Sequence, residues 1–185
     1  MIETEQTVLI DVGIDGVWAY AHDMRRWADL LPGMREFTVI DENDSRWVLK
    51  VGVGGLVRTV NVLVHVDKWD GPERVDFTYK LEGDPVEGGG SYTASRTSDR
   101  QTDVVLQVRV QGGGPMAPMW EAMGRPLLPQ LAKGFADQLK AAIEQDAAAS
   151  PPAEAAKASL SQRLRNWLQN LWHAVFGSKP QNQTR

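Results

Sequence analysis

Residues 3–13 alternate between apolar and polar around Val8, Ile10 and Val12, which is the period of a half-buried strand. Asp15 follows as a candidate N-cap before the apolar run Val17, Trp18, Ala19 and Tyr20, and predicts a short helix. A second short helix is predicted across MRRWADLLPG, through Trp27, Leu30 and Leu31, and is stopped by Pro32 and Gly33. Period-2 segments punctuated by turn residues then fall at 35–42, 46–53, 56–69, 73–83, 90–98 and 103–111. The clearest is LVRTVNVLVHVDKW, in which Val60, Val62, Val64 and Val66 share one face while Thr59, Asn61, Leu63 and His65 share the other. Val75, Phe77, Tyr79 and Leu81 align in the next, and Val104, Leu106, Val108 and Val110 in the last. So many consecutive alternating segments predict an antiparallel meander with one buried face.

At 115–145 the period lengthens: Met116, Met119, Trp120, Met123, Leu127, Leu131, Phe135, Leu139 and Ile143 recur three or four apart, as in a long amphipathic helix. Pro126 and Pro129 fall inside it, and because each removes a backbone donor and crowds the preceding turn, a kink or break is expected between Gly124 and Pro129. Residues 146–158, DAAASPPAEAAKA, have few bulky side chains and a stiff Pro-Pro centre, and read as a linker. From Leu160 the helical spacing returns in Leu164, Trp167, Leu168, Leu171, Trp172, Val175 and Phe176, with Gln162, Arg163, Asn166, Gln169, Asn170 and His173 on the opposite side. A helix of that length would run about 25 Å and is too polar to span a bilayer.

Charge divides the chain at the same place. The net charge is −4 over 185 residues, but every charged residue from Lys157 onward is a cation: Lys157, Arg163, Arg165, Lys179 and Arg185. Residues 1–156 hold the remaining 15 cations against 24 acids, a net of −9. An acidic body argues against a nucleic-acid partner. A basic tail with an aromatic-rich apolar face fits an interfacial helix on anionic lipid, carried by Leu160, Arg163, Leu164, Arg165, Trp167, Leu168, Leu171, Trp172, Val175 and Phe176. The same face would also suit a partner protein's groove or the chain's own body. The N-terminus, MIETEQTVLIDVG, lacks the basic region and long apolar core of a signal peptide, so a cytoplasmic protein, peripheral on the inner face of the membrane, is expected.

Motif chemistry is sparse. Without cysteine there is no disulfide, thiolate metal site or cysteine nucleophile, and His22, His65 and His173 do not fall at ligating spacings on one element. GxSxG is absent. The stretches VGVGG and EGGGS fit neither dinucleotide nor phosphate-loop spacing, and read as turn or bulge glycines between strands. Acids gather at strand ends (Asp41, Glu42, Asp44; Asp67, Asp70; Glu82, Asp84), where carboxylates are ordinarily solvated rather than poised for acid–base work.

Taken together, Val17–Trp18, the LLPG of Leu30 to Gly33, the KVGVGG of Lys50 to Gly55, the glycines at 88–90 before Ser91, and the VQGGG of Val110 to Gly114 leading into the long helix carry a resemblance. Over roughly residues 1–145 the order β-α-α-β6-α resembles the START-like (SRPBCC) helix-grip superfamily, which includes polyketide cyclases. Within it the chain is most similar to the CoxG family, accessory to carbon monoxide dehydrogenase. The resemblance implies an α+β fold: a curved seven-stranded antiparallel sheet around a long C-terminal helix, enclosing an apolar cavity. Residues 1–145 would form that ligand-binding domain, 146–158 the linker, 159–177 the basic amphipathic helix and 178–185 a disordered terminus. Implied cavity residues are Trp27, Leu31, Val62, Phe77, Tyr79, Tyr92, Arg96, Met116, Met119, Trp120, Met123 and Leu127. Tyr79, Tyr92 and Arg96 are the polar side chains whose strand parity could turn them inward, and the methionines are either core or a deformable wall. The function implied is a non-catalytic carrier or accessory protein. It would bind a lipid or quinone, with no covalent cofactor, and serve a molybdenum-hydroxylase-type redox enzyme at the membrane. The alternatives are a polyketide cyclase or dehydratase, and a membrane-recruitment adaptor without ligand.

Overall fold

The computed structural model describes residues 1–53, 56–115 and 117–149, so the greater part of the linker, the tail helix at 159–177, the terminus 178–185 and Met116 lie outside the described residues. The elements run β1 (Ile2–Ile10), α1 (Ile14–Ala21), α2 (Met24–Asp29), β2 (Met34–Val39), β3 (Asp44–Val53), β4 (Leu56–Asp70), β5 (Arg74–Leu81), β6 (Val86–Ser98), β7 (Gln101–Gly112) and α3 (Ala117–Ala149). All neighbouring strand pairs are antiparallel, in the order β1-β7-β6-β5-β4-β3-β2, so the meander of six is closed on one side by β1 against β7. This is the curved sheet gripping a long helix that the sequence implies.

The short helices end one edge of this architecture through local chemistry. Gly13, not Asp15, is the N-cap of α1, and no side chain caps it; Asp15 instead sits in the first turn, where its charge faces the positive end of the helix. Asp23 caps α2 by accepting from the Arg25 backbone N–H at 2.9 Å. Gly33 closes the LLPG turn at φ 87°, and a Cβ there would stand 2.2 Å from the Lys50 carbonyl oxygen, so both backbone conformation and space demand glycine.

The described part of α3 is a single helix that passes through both prolines, with no break. Pro126 and Pro129 are exposed, as are Ala122 and Arg125, whose carbonyls lose their usual donors, so solvent is available to the freed groups. The helix also continues through Asp146–Ala149, into the stretch whose composition reads as linker. Its C-terminal half is seated in the core: Ala136, Leu139 and Ile143 are buried with Ile10, Val17, Ala21, Tyr92 and Val104. Glu144 accepts from the Asp11 backbone N–H at 2.9 Å, and Lys140 donates to the Leu9 carbonyl at 2.6 Å, tying that half to the β1–α1 connection. Here the domain is filled. Toward the other end it is not.

Candidate functional site

Strand register decides what faces the helix. Paired residues share a face, so Trp47–Val62–Leu81, Val64–Tyr79 and Val66–Phe77 form successive rows on the concave side of β3, β4 and β5. Between these rows and Trp120, Met123, Leu127, Leu131 and Phe135 of α3 lies a cavity of about 270 Å³, bounded at its inner end by Met24, Trp27 and Leu31.

Most polar groups of its wall are already bonded, three of its four indoles among them. Three indoles in the wall give their N–H to protein acceptors: Trp27 donates to the Ala21 carbonyl at 2.7 Å, Trp47 to Ser45 Oγ at 2.7 Å, and Trp69 to Asn43 Oδ1 at 3.1 Å. Each thereby offers the cavity ring surface only. The Tyr79 hydroxyl donates to the Arg109 carbonyl at 2.9 Å. Ser91 and Gln107 border the cavity, but Ser91 Oγ donates to Gln107 Oε1 at 3.4 Å and Gln107 Nε2 to Glu5 Oε2 at 2.7 Å. Glu121, at the rim, pairs with the Met1 amine at 2.8 Å.

The glycines at 88–90 are not a turn. They lie inside β6 in unbroken register with β5 and β7, opposite Tyr79, Thr78 and Phe77. A Cβ at Gly88 would stand 2.4 Å from the Tyr79 ring, and one at Gly90 2.7 Å from the Phe77 ring. The missing side chains therefore create the recesses in which two wall aromatics lie, a reason for mid-strand glycine that no turn supplies.

Of the residues implied by the sequence, Trp27, Leu31, Val62, Phe77, Tyr79, Trp120, Met123 and Leu127 come together around the cavity. Three do not. Tyr92 is fully buried with its ring 5.9 Å from that of Trp27, which lines the cavity while Tyr92 does not. Among the described residues its hydroxyl has no hydrogen-bond partner. Arg96 has the parity expected but sits toward the end of β6 that the α1 core closes; its side chain is 55% exposed, 3.9 Å from both Asp15 and Asp99. Met119 is exposed because it lies one residue, about 100°, off the stripe running through Trp120, Met123 and Leu127. Burial pushes the Tyr79 and Tyr92 phenols well above their ordinary range, which favours their neutral forms.

Wall residues not singled out from the sequence include Trp47, Leu49, Val51 and Trp69. The alternation of 46–53 carries the first three, but only the pairing of β3 with β4 shows which face they share. Among the described residues there is no cluster of three potential metal-ligating side chains, and no helix long and apolar enough to cross a membrane. His65 accordingly stands alone with Asp44, at 2.9 Å on the exposed side of its strand.

Residues 1–144 match the family described as polyketide cyclase / dehydrase and lipid transport. A comparison with curated proteins finds no match. Similar solved structures include a conserved protein from Geobacillus kaustophilus (TM-score 0.68, 16% identity, 78% of this chain and 96% of that one). Others are the Zhui aromatase/cyclase from Streptomyces sp. R1128 (0.60, 16%, 78% and 94%) and a START superfamily protein from Mycobacterium smegmatis (0.58, 12%, 77% and 97%). At these identities they establish the shared fold.

Proposed function

Because the chain belongs to the polyketide cyclase / dehydrase and lipid transport family, we propose that it binds a hydrophobic small molecule between sheet and helix and carries it without transforming it. The observation that supports this reading most directly is the treatment of polar groups in the wall: three indole N–H groups and the Tyr79 hydroxyl all donate to protein acceptors. A ligand there meets ring faces and branched aliphatics, which supply affinity and little chemistry. Acid–base or electrophilic catalysis needs titratable or donating groups converging on one reacting atom. Of the three polar side chains with inward parity, Arg96 and Tyr92 do not line the cavity, and the hydroxyl of the third, Tyr79, is already bonded.

A cyclase-type activity is the second reading, favoured by the likeness to an aromatase/cyclase fold. The ligand we propose is a lipid or quinone, and the partner a molybdenum-hydroxylase-type redox enzyme; both rest on the sequence resemblance. Full-length protein purified from its host without detergent and extracted into organic solvent should yield one apolar compound, near stoichiometric by mass spectrometry. Leu127→Trp, which places an indole in the cavity, should come empty. Protein that is repeatedly empty in the parent form overturns the carrier reading, and a ligand whose mass changes on incubation with the protein favours the enzyme.

A further inference from the structure

Val51, Leu81, Trp120 and Glu121, each only partly buried, line the end of the cavity away from Trp27, and that end is taken as its mouth. One charged residue of β4 stands beside this mouth, outside the lining itself, on the parity of the concave face. Arg58 pairs in register with Val51, a wall residue, and precedes Val60, another, by two positions. Its guanidinium lies 5.3 Å from the centroid of the Trp120 ring, and its Nη2 is 2.7 Å from Asp84 Oδ2. Asp84 is 14% exposed and Arg58 46% exposed. Helix α3, through Trp120, is thus joined across the mouth to the β5–β6 turn by a single cation.

We propose that Arg58 is the head-group anchor of the cavity and that the preferred ligand is a carboxylate amphiphile, whose head displaces Asp84 from Arg58 while its apolar body enters. This rests on the reading of the cavity as a ligand site. A guanidinium presents several donors in a planar fork suited to a carboxylate, and Asp84 already pairs with one of its nitrogens. Asp84 is therefore an internal surrogate for the ligand head: it holds the mouth together when the cavity is empty and competes with ligand when it is not. Stacking on Trp120 fixes the fork at the rim, where a head group stays hydrated while the body is buried. The other acid of the rim, Glu121, is held by the Met1 amine. A volume of about 270 Å³ lies near the low end of small-molecule cavities, which suits a chain of medium length.

Decanoic acid and 1-decanol, titrated into the full-length protein and followed by tryptophan fluorescence, separate head from body. The parent protein should bind the acid roughly three- to tenfold more tightly than the alcohol, the range of a charge-assisted hydrogen bond discounted for exposure. Arg58→Met keeps an unbranched apolar stem against Trp120 and should equalise the two ligands. Asp84→Asn removes the competitor and should widen the preference for the acid while leaving the alcohol nearly unchanged. Equal binding of acid and alcohol by the parent, or a preference that survives Arg58→Met, overturns the anchor and leaves the cavity reading intact. Binding of neither compound overturns both.

Discussion

Tyr79, partly buried, and Tyr92, fully buried, both have a hydroxyl pKa raised by burial, yet they are expected to respond oppositely to loss of that hydroxyl. The Tyr79 hydroxyl has an acceptor in the Arg109 carbonyl, so Tyr79→Phe removes a made hydrogen bond, at a cost of about 0.5–1.5 kcal/mol. Tyr92 has no partner for its hydroxyl among the described residues, so Tyr92→Phe relieves an uncompensated desolvation and should stabilise by about 1 kcal/mol. Urea midpoints at constant slope measure both. A destabilised Tyr92→Phe would mean that the hydroxyl is bonded, to a buried water or to a ligand reaching past Trp27. Strand parity alone places both tyrosines on the concave face. It does not show that Trp27 covers one of them, because that contact joins residues far apart in the chain.

At the level of elements, alternation is sufficient for all seven strands and their common buried face, since a one-residue slip would expose every valine of the β4 row. At two places tertiary packing overrides the local rule. Gly88–Gly90 carry turn chemistry in sequence, but their role is set by Tyr79 and Phe77 on the adjacent strand, which no local window contains. Pro126 and Pro129 are helix breakers in sequence, but the stripe from Trp120 through Phe135 keeps α3 on the sheet across them while both rings face solvent. The helix is therefore held by packing at a backbone cost. Pro126→Ala restores a donor for the Ala122 carbonyl, and should raise the thermal midpoint by an amount equivalent to about 1–3 kcal/mol, the upper figure being the helix-interior difference between proline and alanine. A lowered midpoint would show that the proline ring itself supports the packing of α3 over the cavity.

Over the whole molecule, the division of charge is the property that neither the cavity nor the sheet explains. A body of net −9 is repelled by anionic lipid, so if the tail is the interfacial helix expected from the sequence, attraction has to come from the five cations after residue 156 and from the apolar positions around Trp167 and Trp172. Cations near such a surface contribute about 1 kcal/mol each, an amount that salt screens, whereas insertion of the aromatic face is insensitive to salt. The two contributions can therefore be separated. On that expectation, full-length protein should co-sediment with vesicles containing phosphatidylglycerol at low ionic strength, partly release as salt rises, and bind weakly to phosphatidylcholine alone. Trp167→Ser with Trp172→Ser should weaken binding at every ionic strength, and removal of residues 159–185 should abolish it. If the tail delivers a carrier to its source of ligand, truncation should slow the uptake of ligand from vesicles while leaving affinity for ligand supplied in solution unchanged. Sedimentation that survives truncation would transfer membrane contact to the body, and a parallel loss of affinity in solution would instead make the tail part of the ligand site.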